Sequence, residues 1–312
     1  MEWTAWEHTR ALTFLHNRVR AILLAQGVEE QTIATGGTQV HLYAAGPKDA
    51  ARTVVLLHGL GDSAHAWFRA LPLLAWRGDR VIAIDLPGHG FTPPPDERGF
   101  VQPSEHAEIV RHILDTLAVG ETRAVVGHSL GGWVAARAAL SDVPFDQLVL
   151  VEAAGLEHEG MWESIDLLRI EHEQDVRRFF RTVAHTPPFG SGLVTREIAA
   201  MFRTPAVFNF LDHNDPREII KDTELRRIQR PTTIIWGEND GLVPPVVAQR
   251  WHAGIRNSSL EWIPKCGHTP HFERPLLFQR KLEAALGHAP VATAIRDRLT
   301  AALPRPFRRA DA

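Results

Sequence analysis

Three short runs constrain this chain more than anything else in it. Val54–His58 (VVLLH), Val81–Asp85 (VIAID) and Leu148–Glu152 (LVLVE) are apolar at every position but the last. A strand with one wet face alternates apolar and polar residues. Runs that stay apolar need cover on both faces, which parallel strands with crossover helices provide. TQVHLYAAG (38–46), TRAVVGHS (122–129), PTTIIWGEND (231–240) and SSLEWIPKCGH (258–268) read as further strands. PSEHAEIVRHILDTLA (103–118) reads as one of the helices between them. The expected class is α/β.

One segment breaks that alternation. Between Val151 and Pro231 no strand signal appears, while Met161, Ile165, Leu168, Val176, Phe179 and Val183 recur at helical spacing before Pro187-Pro188 interrupts. Helical patterns resume in LVTREIAAMFR and PREIIKDTELRRI. An insertion of this length between two core strands reads as a helical cap. At 312 residues the chain is long enough for one core carrying such an insertion.

Composition excludes several classes. A net charge of −3, with no basic run interleaved with aromatics, gives nucleic acid no purchase. Cys266 is alone, so no internal disulfide is possible, which fits a reducing compartment. The N-terminus MEWTAWEHTR lacks the apolar core of a signal peptide, and no run approaches the ~18 apolar residues of a spanning helix. The expectation is a soluble, cytoplasmic protein. The histidines show no metal-ligand spacing, and no nucleotide-binding glycine turn occurs, so neither a metal nor another cofactor is expected.

The chemistry is announced by Gly127-His128-Ser129-Leu130-Gly131, between a β-rich run and an alanine-rich helical one. A serine hydroxyl needs a base to take its proton and a turn that holds it clear of its neighbours. The G-x-S-x-G strand-to-helix turn does the second, and tolerates only small flanking residues. A plain glycine turn with an N-capping serine would look alike, so the partners decide. Asp240 follows the strand TTIIW and His268 follows LEWIP. Both lie in loops at carboxyl ends of strands, in the chain order Ser, Asp, His that belongs with this turn. His268 would take the Ser129 proton and Asp240 would orient the ring. Glu152, ending an earlier strand, is the alternative acid, and His271 the alternative base. The glycine-rich turn His58-Gly59-Leu60-Gly61 and the helix start at Leu130 would supply oxyanion-binding N–H groups from Leu60 and Leu130.

VVLLHGLGDSAHAW, DLPGHG, VVGHSLGGWVA, IIWGENDGLVP and CGHTPHFERP resemble successive signature blocks of the α/β-hydrolase superfamily, over about residues 38–155 and 228–287. The resemblance implies a mostly parallel eight-stranded sheet with helices on both faces and a helical cap after the sixth strand. It places the family's nucleophile, acid and base on Ser129, Asp240 and His268. On this basis the chain divides into an N-terminal helical extension (1–30), core (31–153), cap (154–227), core (228–287) and a C-terminal extension (288–312). Serine at 129 departs from the aspartate of epoxide hydrolases and haloalkane dehalogenases. LVLVEAAGL and IIWGENDGLVP look most like the monoacylglycerol-lipase-like esterases.

The implied activity is hydrolysis of carboxylic esters of apolar acids. The alternatives are a C–C bond hydrolase of ring-cleavage products and a non-enzymatic small-ligand receptor on the same fold. Trp133, Phe179, Phe202 and Phe208 are offered as the substrate pocket, although bulky residues in a small cap also serve as its core. In the N-terminal stretch Leu12, Leu15, Val19, Ile22 and Leu23 form a stripe expected to pack on the body. Trp3, Trp6, Phe14 and Leu24 fall on another side, suggesting peripheral membrane contact or a homodimer.

Overall fold

The structure is a computed structural model. It describes residues 10–186, 195–291, 293 and 294, the side chains of residues 10–12 and 162 excepted. Eight strands make one sheet: β1 (Glu29–Thr35), β2 (Thr38–Ala45), β3 (Arg52–Leu57), β4 (Arg80–Ile84), β5 (Thr122–His128), β6 (Gln147–Val151), β7 (Thr232–Gly237) and β8 (Ser258–Ile263). Their spatial order is β1-β2-β4-β3-β5-β6-β7-β8. The pairings β1–β2 and β2–β4 are antiparallel, and every pairing from β4 across to β8 is parallel.

The all-apolar runs behave as their composition requires. Val55, Leu57, Ile82, Ile84, Leu148 and Leu150 join a core on one face of the sheet. Their neighbours Val54, Leu56, Val81, Ala83, Val149 and Val151 join a second core on the other. Side chains alternate between faces, so a run apolar at each position reports cover on both. The cover comes from α1 (Arg10–Ala25), α2 (Ala70–Trp76), α3 (Pro103–Leu117), α4 (Leu130–Leu140), α10 (Pro245–Gly254) and α12 (Pro275–Ala285). No described helix is long and apolar enough to cross a membrane.

Between β6 and β7 the described residues add no strand to the sheet, only an isolated parallel bridge between Leu156 and Ile220, and form the helices α5 (Met161–Leu167), α6 (Glu173–Val183), α7 (Thr195–Phe202), α8 (Pro205–His213) and the short α9 (Asp222–Leu225). Their apolar sides, including Val176, Phe179, Phe202 and Phe210, join the core on the α3–α4 side. Pro187 and Pro188 lie outside the described residues.

Two expectations need correction. The sheet begins at Glu29, in a strand that the sequence reading left out of the pattern, because EEQTIAT is mostly polar. An edge strand needs few apolar residues. This one keeps its acids engaged, with Glu29 on Arg80 and Glu30 on Arg20 and His41. The expected stripe of α1 is also only partly the inward face. Leu23 is buried and Val19 packs on the core, but Leu15 and Ile22 are 57% and 51% exposed. Phe14 and Leu24 are exposed too. The residue turned inward is His16, whose Nδ1 lies 2.5 Å from His65 Nδ1, while His65 Nε2 meets the Tyr43 hydroxyl at 2.9 Å. Burial pushes His16 down to about 3 and His65 to about 4, so both rings are neutral and bond to each other without repulsion. That hydrogen bond is invisible to an apolar-periodicity count. Trp3, Trp6 and the Leu12 side chain lie outside the described residues.

Candidate active site

β5 ends at His128 and α4 starts at Leu130, so Ser129 alone makes the turn, at φ 52° and ψ −115°. A non-glycine residue there holds strain on the order of 1–3 kcal/mol, which its surroundings must enforce. The glycines show how. A Cβ on Gly127 would sit 2.1 Å from the Gly131 carbonyl oxygen, and one on Gly131 2.4 Å from that of Leu57. Ser129 N–H donates to Val151 O at 3.0 Å, and its own carbonyl accepts from Ala154 at 3.1 Å. The turn is thereby locked to the end of β6.

Asp240 and His268 sit beyond β7 and β8 and meet there. His268 Nδ1 lies 2.7 Å from Asp240 Oδ2, and both side chains are buried. Asp240 Oδ1 accepts the N–H groups of Leu242 and Val243 at 2.8 and 3.0 Å, which fixes the carboxylate. A ring nitrogen beside a carboxylate carries the proton, so the lone pair of His268 resides on Nε2. The His268 carbonyl in turn accepts from Nε2 of His128, the residue before Ser129, at 2.8 Å. Burial, reinforced by His271 and His268, holds His128 well below the usual imidazole range, so it is a neutral brace.

The cap reaches into these loops. His268 N–H donates to Val183 O at the end of α6 at 2.6 Å. Cβ atoms on Gly267 and Gly241 would lie 2.1 and 2.4 Å from the carbonyl oxygens of Val183 and Thr182. Glu273 holds the same loop, taking the Gly267 N–H on both oxygens at 3.1 Å and that of His185 at 2.9 Å. Sequence reading passed over Glu273 and both glycines. Their signal is present only as a glycine beside each of Asp240 and His268.

Of the alternatives, His271 lies in α11 (Pro270–Glu273), stacked on Trp67 with ring centroids 5.7 Å apart. Neither of its ring nitrogens has a hydrogen-bond partner among the described residues, and burial pushes it to about 3. No acid among the described residues orients it. Glu152 is different: it is fully buried, and one of its carboxyl oxygens, one of Asp240 and one ring nitrogen of His268 lie within 4.8 Å of one another.

The turn after β3 lies against the serine. A Cβ on Gly59 would be 3.3 Å from Ser129 Cβ, and His58 pins the loop through Gly59 O at 2.7 Å and Leu86 N–H at 3.0 Å. Leu60 follows within this loop. Leu130 opens α4, where a backbone N–H has no intrahelical acceptor. Both Leu60 and Leu130 line a cavity of roughly 900 Å³, its open mouth included, that also contains Ser129. Its other walls include Trp133, Met161, Ile165, Leu168, Phe210 and Ile219. No Asp, Glu, Lys or Arg is among the described lining residues. Of the side chains offered for the pocket, Trp133 is there, its indole N–H donating to Glu218 O at 2.8 Å. Phe179 and Phe202 are not among that lining; they pack on each other with centroids 5.1 Å apart inside the cap. Phe208 is also absent from it. Two and three residues on, Phe210 and Leu211 take that place.

The sequence profile of the alpha/beta hydrolase fold matches residues 52–275. The chain is 27% identical over 287 residues to a 2-hydroxy-6-oxononadienedioate/2-hydroxy-6-oxononatrienedioate hydrolase of Cupriavidus pinatubonensis, covering 86% of this chain and 99% of that one. It is likewise 27% identical over 246 residues to a pimeloyl-[acyl-carrier protein] methyl ester esterase of Neisseria meningitidis, covering 71% and 88%. Among solved structures it resembles a putative lipase from Acinetobacter baumannii with a TM-score of 0.75 and 22% identity, over 87% of this chain and 95% of that one.

Proposed function

The chain belongs to the alpha/beta hydrolase fold family, and on that premise we propose that it hydrolyses carboxylic esters of apolar acids through an acyl-enzyme on Ser129. Ser129 Oγ attacks the ester carbonyl carbon as His268 Nε2 takes its proton. Asp240 stabilises the imidazolium that forms. The Leu60 and Leu130 N–H groups receive the oxyanion. Collapse of the tetrahedral intermediate breaks the C–O bond, and His268 returns the proton to the leaving alkoxide. Water then repeats the sequence, with His268 as base, to release the acid and restore Ser129.

The observation that carries this reading is the cavity wall. An acyl chain buried there gains about 0.8 kcal/mol per methylene, whereas a carboxylate would enter with no Lys or Arg among the described lining to receive it. A second reading, hydrolysis of a carbon–carbon bond in an acidic substrate, is supported by the likeness to the C. pinatubonensis enzyme, which is named for a dioate.

A ladder of aryl esters tests the first reading. kcat/KM is expected to rise about fourfold per added methylene until the chain outgrows the cavity. Ser129→Ala is expected to abolish turnover. Wild-type turnover in that variant, or faster cleavage of an acidic vinylogous diketone than of any ester, would overturn the proposal.

A further inference from the structure

Glu152 is a buried acid that the reaction as written leaves idle. It follows β6 directly, with its backbone at φ 46°, a left-handed conformation that a glutamate adopts only under constraint. Its N–H donates to Ile235 O at 3.1 Å, and its Oε1 accepts the Gly237 N–H at 2.5 Å. β6 and β7 are adjacent and parallel, with Val151 opposite Ile235, so the residue after β6 faces the loop after β7 that carries Asp240. A carboxyl oxygen of Glu152 therefore lies within 4.8 Å of one of Asp240, while Oε2, buried, has no hydrogen-bond donor among the described residues.

Two carboxylates in contact inside a protein do not both stay ionised. The titratable neighbours of Glu152 are Asp240 after β7 and His268 and Cys266 after β8. The Cys266 thiol, which burial pushes up to about 12, is neutral, and His268 is already engaged by Asp240. No cation among these groups is left to neutralise Glu152. Burial first, and then Asp240, raise its carboxyl well above the usual range.

We propose that Glu152 is a positioning residue: its carboxyl keeps a proton, donates it in a hydrogen bond to Asp240, and becomes the acid partner of His268 when Asp240 is neutralised. The first role holds the Asp240 carboxylate at the angle His268 needs. The second follows from distance. A Glu152 oxygen lies no more than about 2 Å beyond hydrogen-bond length from a His268 ring nitrogen, and loss of the Asp240 charge removes the repulsion that keeps Glu152 neutral. The proposal rests on the Ser129–His268–Asp240 reading above.

The test is a double-mutant cycle of Asp240→Asn and Glu152→Gln, read as kcat/KM against pH. Asp240→Asn is expected to lose roughly 10²–10³-fold, short of the ~10⁴ that a triad without an acid loses. Its profile should gain an inflection for Glu152 ionisation. Glu152→Gln is expected to cost several-fold in the wild-type background and at least ten times that factor in Asp240→Asn, with the inflection gone. Equal factors in both backgrounds would overturn the proposal. Infrared difference spectra against Glu152→Gln need no turnover and separate Glu152 from Asp62, whose carboxyl burial pushes up to about 7. The C=O stretch that Glu152→Gln removes should be present at neutral pH in wild type and vanish at lower pH in Asp240→Asn, and its absence from wild type would overturn the proposal. Fluorophosphonate labelling keeps the two readings separable. A wild type unlabelled at Ser129 overturns the esterase reading, whereas the infrared band reports the Glu152 proton without turnover.

Discussion

Glu152→Gln should stabilise the protein, and by an amount that grows with pH. Glutamine matches glutamic acid in shape and is neutral at every pH, so it mimics the protonated residue and nothing else. In the unfolded chain Glu152 loses its proton near the ordinary value of 4.5, while burial and Asp240 hold the folded value well above it. Between those two values folding takes up a proton. The sign follows: where the folded state binds more protons than the unfolded one, stability falls as pH rises. One proton corresponds to about 1.4 kcal/mol per pH unit, so over the interval between the two values the wild type should lose stability at up to that rate while the variant keeps it. Groups common to both proteins cancel in the difference. At low pH, where both side chains are neutral, the two should agree to within about 1 kcal/mol, since the amide can also donate to Asp240. Urea unfolding followed by tryptophan fluorescence at half-unit steps from pH 4.5 to 8 measures the gap, with equal m-values as the condition for comparing midpoints. A gap constant with pH, or one that narrows as pH rises, would show that Glu152 is charged in the folded protein and refute the reasoning.

Gly267→Ala should reduce kcat/KM at least tenfold, because its Cβ would meet the Val183 carbonyl oxygen at 2.1 Å and push the His268 loop away from α6; unchanged kinetics would mean that the loop and the cap are not coupled. His16→Leu should flatten the acid side of the stability profile. His16 is held at about 3 when folded and returns to 6.5 when unfolded. The unfolded chain therefore binds the proton first, and wild-type stability drains away as pH falls below 6.5, by about 1.4 kcal/mol per unit for this group. Parallel denaturation midpoints for wild type and His16→Leu between pH 6.5 and 4 would count against that linkage.

The sheet was legible because burial on both faces writes itself as consecutive apolar residues, in VVLLH, VIAID and LVLVE alike. β1 was not, because an antiparallel edge strand leaves much of its surface wet and composition drops out as a guide. The same distinction runs through the helices. α3, which packs along the sheet, carries buried Ala107, Val110, Ile113 and Leu114 at helical spacing. The cap helices bury apolar residues against one another and over the cavity at once, so Phe179 and Phe202 look no different in sequence from Phe210, which lines the cavity containing Ser129. Periodicity identifies an apolar face but does not name what lies opposite it. In α1 it identified that face only in part: Leu23 and Val19 pack inward, Leu15 and Ile22 do not, and His16 joins through a hydrogen bond.

At the site, what sequence conveyed was position along strands. Ser129, Glu152, Asp240 and His268 each follow a strand, and parallel strands deliver their carboxyl ends to one edge, so the four were bound to share it. Their division of labour was not conveyed, because it depends on contacts each makes with groups far away in the chain. Asp240 receives two backbone N–H groups and the His268 ring, three donors that stabilise a negative charge. Glu152 receives one backbone N–H, and its other oxygen has no donor among the described residues. Of two acids side by side, the better-solvated one keeps the charge and the other keeps the proton. Strand order selected the pair, and the count of donors around each carboxyl separates the acid that pairs with His268 from the one that holds it in place.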